Sequence, residues 1–355
     1  MPINKISKIE KNQNTSSKKV KYHCIFCLRT DLETSFNKEH IIPDSLKGFL
    51  VLYNNVCVSC NSWLGSKVDP QILKVPEIAD GLAKLGFDKE HQNTIKHHYN
   101  ITGELHEGIV VKHGRFEKGE IIFPTQDLPD GSLILPDSSA FDTLLKKLKR
   151  DEGLKSSDLT DEQIESNFKE FWSKYAKSNA GEKLVSDDLG IGLIKRSSQP
   201  ELTIKPKEKA NVLPLIAKIA YEFYFFISGV KFFNKENGDL RRDLLFLIRG
   251  EFRENGKLPN QMFFMREEPI NEDYQKYHLI ILDFHKNICV LHVSFFGHVQ
   301  YLLQTNALSK DIIESLINYY KLDDLKFIEL RLMLDTKELF YGFGTSKGFI
   351  FYRDK

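Results

Sequence analysis

"CIFCLRTDLETSFNKEHIIPDSLKGFLVLYNNVCVSCNSWLG", Cys24 to Gly65, holds four of the five cysteines of the chain and sets Glu39 and His40 between them. The thiols come as two close pairs, Cys24-x2-Cys27 and Cys57-x2-Cys60. Each pair can clasp one side of a tetrahedral Zn²⁺ ion, for which thiolate is a preferred donor. Paired thiols of this kind suit a metal site in a reducing compartment better than a disulfide framework. The 29 residues between the pairs exceed the usual ribbon spacing, so the ion ties together a longer excursion, and that excursion carries Glu39-His40. Two CxxC pairs taken alone fit a purely structural zinc knuckle equally well. His23, beside Cys24, is a surplus candidate ligand, and Cys289, between Ile288 and Val290, reads as a small buried hydrophobe.

Around this stretch the composition is that of a globular protein. The chain has 355 residues, 41% hydrophobic and 28% charged, which predicts two domains with ordinary cores. The net charge of +1 gives no global reason to expect nucleic acid or membrane. It hides an asymmetry: residues 1–75 carry eleven Lys/Arg against six Asp/Glu. Residues 1–20, rich in Lys, Asn, Ser and Thr, read as a flexible basic tail with no apolar run of signal-peptide length, from which a cytoplasmic location is expected. The most apolar window, Val212 to Gly229, is interrupted by Pro214, Lys218 and Glu222, so it reads as a buried helix rather than a membrane span.

Beyond the cysteines, PQILKVPEIADGLAKLGF reads as helical, GIVVKHGRF and GEIIFPT as paired strands, and Asp130-Gly131 as a turn. SSAFDTLLKKLKR and TDEQIESNFKEFWSKYAKS read as helices, the second with a capping box at Thr160 and Gln163, and residues 178–192 as a loop or linker. PLIAKIAYEFYFFISG and DLRRDLLFLIRGEF read as further helices stopped by Gly229 and Gly250. YHLIILDF, ICVLHVSFF and HVQYLLQT read as successive strands, followed by the helix SKDIIESLINYY and the strands LKFIELRLML and LFYGF. Four histidines of this region, His278, His285, His292 and His298, cannot share one strand face and are not read as a metal site. Arg242, Arg249 and Arg253 would align along one helix face, as a solvated row or a phosphate contact, if that helix ran through Gly250.

"EHIIP" followed by "NNVCVSCN" and Gly65 resembles the HNH endonuclease family, in which a ββα-metal site is stapled by zinc bound to two CxxC pairs. The resemblance covers residues 22–70. It implies that residues 21–75 are a zinc-stapled ββα-metal nuclease domain; with the helix and strand patterns that follow, the chain reads as α+β, with 76–355 a larger mixed α+β domain for substrate recognition, regulation or assembly. It implies hydrolysis of DNA phosphodiester bonds, with bacterial defence or restriction as the setting. His40 becomes the general base, a task suited to the side chain that exchanges a proton near neutral pH. Glu39, a hard carboxylate in a position where the family often has Asp, and Asn61 become ligands of a catalytic Mg²⁺ or Mn²⁺ ion. Asn54 or Asn55 would be the middle Asn that orients the base through its backbone. Cys24, Cys27, Cys57 and Cys60 would hold the structural Zn²⁺.

A Cys₄ zinc site is formally anionic, so nearby lysines must supply attraction to DNA phosphates, and Lys38, Lys47 and Lys67 are the nearest in sequence. Pro43 and Gly48 fit a turn out of the first strand, while Trp63 and Leu64 read as core residues. Two rival readings stand beside the nuclease: a non-catalytic zinc-dependent DNA-binding module, and a nuclease effector gated by a small ligand on the C-terminal domain. A homo-oligomer and a small-molecule or protein regulator are left open. No motif in residues 76–355 names a function.

Overall fold

The structure is a computed structural model that describes residues 22–104, 110–117, 120–122, 126–127, 133–134, 201–251, 258–259 and 262–354. The basic tail, the Asp130-Gly131 turn, the helices read between 138 and 178, the segment 178–192 and Arg253 lie outside the described residues. The chain divides into two compact units, 1–94 with 208–355, and 95–207. The boundary drawn at residue 75 in the sequence falls inside the first of them.

The first unit begins with a ββα element. Strand β1 (Phe36–His40) pairs antiparallel with β2 (Val51–Cys57), and helix α1 (Val58–Trp63) leaves directly from the second strand. The helix continues as a wider turn over Leu64–Val68 and a 3-10 turn over Asp69–Lys74. Helices α2 (Pro76–Lys84) and α3 (Asp88–His98) follow, α2 with its proline in the first turn, where no N–H is missed.

Four antiparallel strands make the sheet of the second unit: β3 (Tyr99–Glu104), β4 (Val110–Glu117), β5 (Glu120–Ile122) and β8 (Glu201–Pro206), in the order β5-β4-β3-β8. The expected pairing of GIVVKHGRF with GEIIFPT is the β4–β5 hairpin. Strand β6 (Gln126–Asp127) pairs antiparallel with β7 (Leu133–Ile134).

Back in the first unit, α4 (Leu213–Ser228) is followed by α5 (Gly238–Arg249). A seven-stranded antiparallel sheet then forms from β9 (Phe263–Glu267), β10 (Tyr277–Phe284), β11 (Ile288–Phe295), β12 (Val299–Asn306), β13 (Phe327–Met333), β14 (Glu338–Thr345) and β15 (Gly348–Asp354). Helix α6 (Lys310–Tyr320) connects β12 to β13, and the strand order is β15-β14-β13-β10-β11-β12-β9. The architecture is α+β, a small ββα module followed by a larger mixed α+β region.

Helix α4 is the centre of this unit. Fifteen of its sixteen residues are buried. Together with the turn after it, Leu213–Phe233 is long and apolar enough to cross a membrane, yet 83% of that window is buried inside the protein. Tyr224 hydrogen-bonds Thr305 of β12 at 2.8 Å on one side. On another, Tyr221 donates to the Ile25 carbonyl at 2.6 Å and stacks on Phe26, between the first two cysteines. One hydrophobic cluster therefore runs from Ile41, Ile42, Leu46 and Leu52 of the ββα element through α4 to the sheet. A module of this size has too much surface for its volume to hold a core alone, and it borrows α4.

Gly250 takes a left-handed conformation (φ 72°) and ends α5 at Arg249, so the helix does not continue toward Arg253. Arg242 pairs with Asp239 and Asp243, and Arg249 with Glu251.

Candidate functional site

The two cysteine pairs come from two kinds of turn. Cys24 and Cys27 lie in a tight loop closed by the Cys24 N–H to Arg29 carbonyl bond (2.8 Å), with Leu28 at φ 62°. Cys57 ends β2 and Cys60 sits in the first turn of α1. The four Sγ atoms lie within 4.8 Å of one another, and Cys27 and Cys57 are 3.7 Å apart. A tetrahedron with Zn–S bonds of about 2.3 Å has edges of about 3.8 Å, so the thiols fit a structural ion such as zinc. The Cys57 N–H also points at the Cys24 sulfur (3.4 Å), the partner an anionic thiolate attracts. His23 instead makes a backbone bridge with Thr30.

Between the pairs, β1 and β2 register as Lys38↔Tyr53, Glu39↔Leu52 and His40↔Val51. Alternation puts Glu39 with Leu52 on the buried face, and Lys38, Tyr53 and His40 on the other. A bulge at Asn37/Lys38 shifts the register, and opposite it Asn54 takes a left-handed conformation (φ 59°), which Asn tolerates better than most residues.

His40 Nδ1 lies 2.8 Å from the Gly48 carbonyl oxygen. A carbonyl can only accept, so Nδ1 carries the proton and Nε2 is left as a bare basic nitrogen. Gly48 makes this contact because it has no side chain: a Cβ there would sit 2.0 Å from the Ile42 carbonyl oxygen. The sequence reading gave the orienting role to Asn54 or Asn55, and the structure puts Gly48 there instead. Asn54 serves the bulge, and the Asn55 carbonyl accepts from Ile25 N–H (2.8 Å), tying the first cysteine loop to β2.

Asn61 donates from its amide nitrogen to the Lys38 carbonyl (2.7 Å), bracing α1 against β1 and leaving its amide oxygen for another partner. Glu39 is turned the other way. It is 3% exposed, and its Oε1 lies 2.6 Å from the Lys218 ammonium on α4. The two-ligand set expected for a catalytic divalent ion, Glu39 with Asn61, is therefore not assembled here, because alternation along β1 sends Glu39 into the core. Among the described residues, the cysteine quartet is the one group of three or more His, Cys, Asp or Glu side chains placed to hold a metal ion.

Lys218 is the residue the sequence reading passed over. It is wholly buried, and besides Glu39 its Nζ approaches Asp69 Oδ1 at 3.3 Å, Glu222 Oε2 at 3.4 Å and the His40 carbonyl oxygen at 2.6 Å. Burial disfavours its charge, but the carboxylates of Glu222, Asp69 and Glu39 outweigh that and hold its pKa above the ordinary lysine value. Burial raises Glu39 and Asp69 in turn, with Lys218 pulling the other way. Burial, with Glu39 and Asp69 nearby, pushes Glu222 well above the carboxylate range against the pull of Lys218, and neither of its oxygens is hydrogen-bonded. The signal in the sequence was Lys218 and Glu222 four apart in an otherwise apolar helix: a charge in such a helix needs a buried partner.

The lysines expected to meet phosphate divide. Lys38 and Lys67 are exposed and, among the described residues, form no ion pair, whereas Lys47 is paired with Glu90 and lies over the Phe87 ring. Leu64 is buried as read, but Trp63 is 39% exposed.

No curated protein and no solved structure matches the chain. The family model of the HNH endonucleases does, over residues 24–76, so the segment that contains the thiol quartet, both short strands and His40 is similar to the domain of that family.

Proposed function

We propose that this domain is a working nuclease that hydrolyses DNA phosphodiester bonds with His40 as general base. The observation that carries the reading is the His40–Gly48 contact inside a segment that matches the HNH endonucleases. With Nδ1–H committed to the carbonyl, Nε2 accepts the proton of the attacking water, and the fixed ring avoids a search for the right tautomer at the moment of reaction. Asn61 braces the strand that carries the base, and Lys38 and Lys67 hold the backbone of the substrate. The family resemblance adds bacterial defence or restriction as the setting. A divalent ion would supply charge stabilisation on the phosphate, but the ligands expected for it, Glu39 and Asn61, are not assembled in this structure. Residues 76–355 include the helix and sheet that complete the core of the domain.

The test is plasmid DNA incubated with the full chain in Mg²⁺, in Mn²⁺ and in EDTA, beside His40→Ala. Cleavage by the variant should drop by roughly 10²- to 10⁴-fold, the usual worth of a positioned base, with zinc content unchanged. A wild-type chain that cuts under none of these conditions, or a variant that cuts equally well, overturns the reading and leaves a zinc-dependent DNA-binding module.

A further inference from the structure

We propose that Lys218 is a positioning residue of the nuclease site: one ammonium on α4 holds both the Glu39 side chain and the His40 carbonyl, and so fixes the end of the strand that carries the base. The proposal rests on the reading of His40 given above. Its geometry does not. An ammonium has three protons to donate, and here the two shortest contacts, 2.6 Å each, go to the carboxylate and the carbonyl of two successive residues of β1. Asp69 (3.3 Å), which follows the α1 region, and Glu222 (3.4 Å), one turn along α4, lie farther off, within ion-pair range and without a hydrogen bond to the ammonium. The same nitrogen therefore touches the base strand, the segment after α1 and the core helix.

Three alternatives are weaker. Core stability alone is a weak reason for the lysine, since replacing a whole buried ion pair by apolar side chains of similar volume is often neutral or stabilising. A divalent ion on Glu39 would have to share the space with a wholly buried ammonium 2.6 Å away. A switch that withdraws Lys218 would have to pull out α4, fifteen of whose sixteen residues are buried. What the ammonium offers beyond these is rigidity at the atoms next to the imidazole. A base displaced by about 1 Å loses on the order of 10²-fold in rate.

The experiment uses the full, zinc-loaded chain with Lys218→Met/Glu222→Leu, which removes the cation together with the most buried acid, and Lys218→Arg, which keeps the charge. Zinc content and a cooperative melt establish that each variant is folded. On plasmid DNA the double variant should show kcat lower by about 10²-fold with KM within about threefold, the signature of a misplaced base rather than lost binding. Lys218→Arg should lose about tenfold, because a guanidinium cannot put one atom against both acceptors. The second readout needs no activity: the ¹⁵N spectrum of the His40 ring should change from one Nδ1–H tautomer to a mixture. A folded double variant with wild-type kcat and an unchanged ring spectrum overturns the proposal and leaves His40 as base. If the double variant does not fold, Lys218→Arg decides, and wild-type kcat and ring spectrum there overturn it. If the wild-type chain does not cut DNA, the nuclease reading falls, and the ring spectrum alone decides whether Lys218 positions His40.

Discussion

Two clusters of acidic donors lie around the same short hairpin, and they solve the problem of buried negative charge differently. The four thiols gather soft donors at tetrahedral spacing and call for an ion from outside the chain. The carboxylates of Glu39, Asp69 and Glu222 gather around an ion that the chain itself supplies, the ammonium of Lys218. The first cluster is local: its ligands come from two loops of one module. The second is long-range, joining residue 39 to residue 218. An external ion makes a small module fold, whereas an internal cation makes that module depend on the rest of the chain.

The sharpest way to break the comparison is at the thiols. Cys57→Ser leaves three thiolates where β2 meets α1, and because metal binding at such a site is also folding energy, the module should lose both together. Elemental analysis should show well under one zinc per chain, with a fall in melting temperature larger than any other substitution named here produces. A variant with full zinc and a wild-type melt would mean that the four sulfurs do not share one ion.

The difference also governs what could be read from sequence. Two CxxC pairs point to a metal-held module, because the spacing within each pair is short and local. The strands β10 to β14 and the helices α4 to α6 were equally legible, since period-2 and period-3.6 patterns are local too. Gly48 was placed in a turn but not against His40, as the approach of its carbonyl depends on how Ile41 to Leu50 fold back. Glu39 was expected on a metal because the family pattern names residues and not faces. Lys218 served only to exclude a membrane span. That Lys218 and Glu222 would meet Glu39 depends on the packing of α4 on the hairpin, which no local pattern encodes.

A second long-range tie sharpens the point. His278 on β10 is wholly buried, donates from Nε2 to the Leu46 carbonyl at 2.7 Å and accepts the Phe296 N–H on Nδ1 at 3.2 Å. Burial lowers its pKa to about 4, against the pull of the Leu46 carbonyl. As pH falls from about 6.5, the unfolded chain takes up this proton first, so the contribution is complete above about 6.5 and lost as pH falls through about 4. The slope is about 1.4 kcal/mol per pH unit, or about 3 kcal/mol over the window. Denaturant titrations of wild type and His278→Gln should differ in this slope and run parallel above pH 7. Equal slopes at all pH values would show that His278 is not held neutral.

Within the hairpin, Gly48→Ala should cost about 1–3 kcal/mol, the usual range for overpacking, because the clash is with the Ile42 backbone rather than a movable side chain. Cleavage should fall by at least about tenfold as the Gly48 carbonyl leaves the imidazole. A stable Gly48→Ala chain that cuts normally would remove the carbonyl from the orienting role.

The smallest effects belong to the exposed lysines around the hairpin, where charge is unpaired among the described residues and the contrast with the buried cluster is greatest. Lys38 and Lys67 are exposed with no ion pair among the described residues, while Lys47, expected to act with them, is paired with Glu90. A lysine that meets phosphate releases a counterion from DNA, whereas one already neutralised by a carboxylate has less to release. Binding of a plain duplex, measured from low to moderate salt in a cleavage-deficient His40→Ala background, should give a slope of log affinity against log salt that drops by about 1 for Lys38→Ala and again for Lys67→Ala. Lys47→Met should leave it nearly unchanged. The loss should be the same for duplexes of different sequence, since these contacts carry no base information. A wild-type slope near zero would move DNA recognition away from these lysines, and a Lys47 effect equal to that of Lys38 would mean the Glu90 pair opens when DNA arrives.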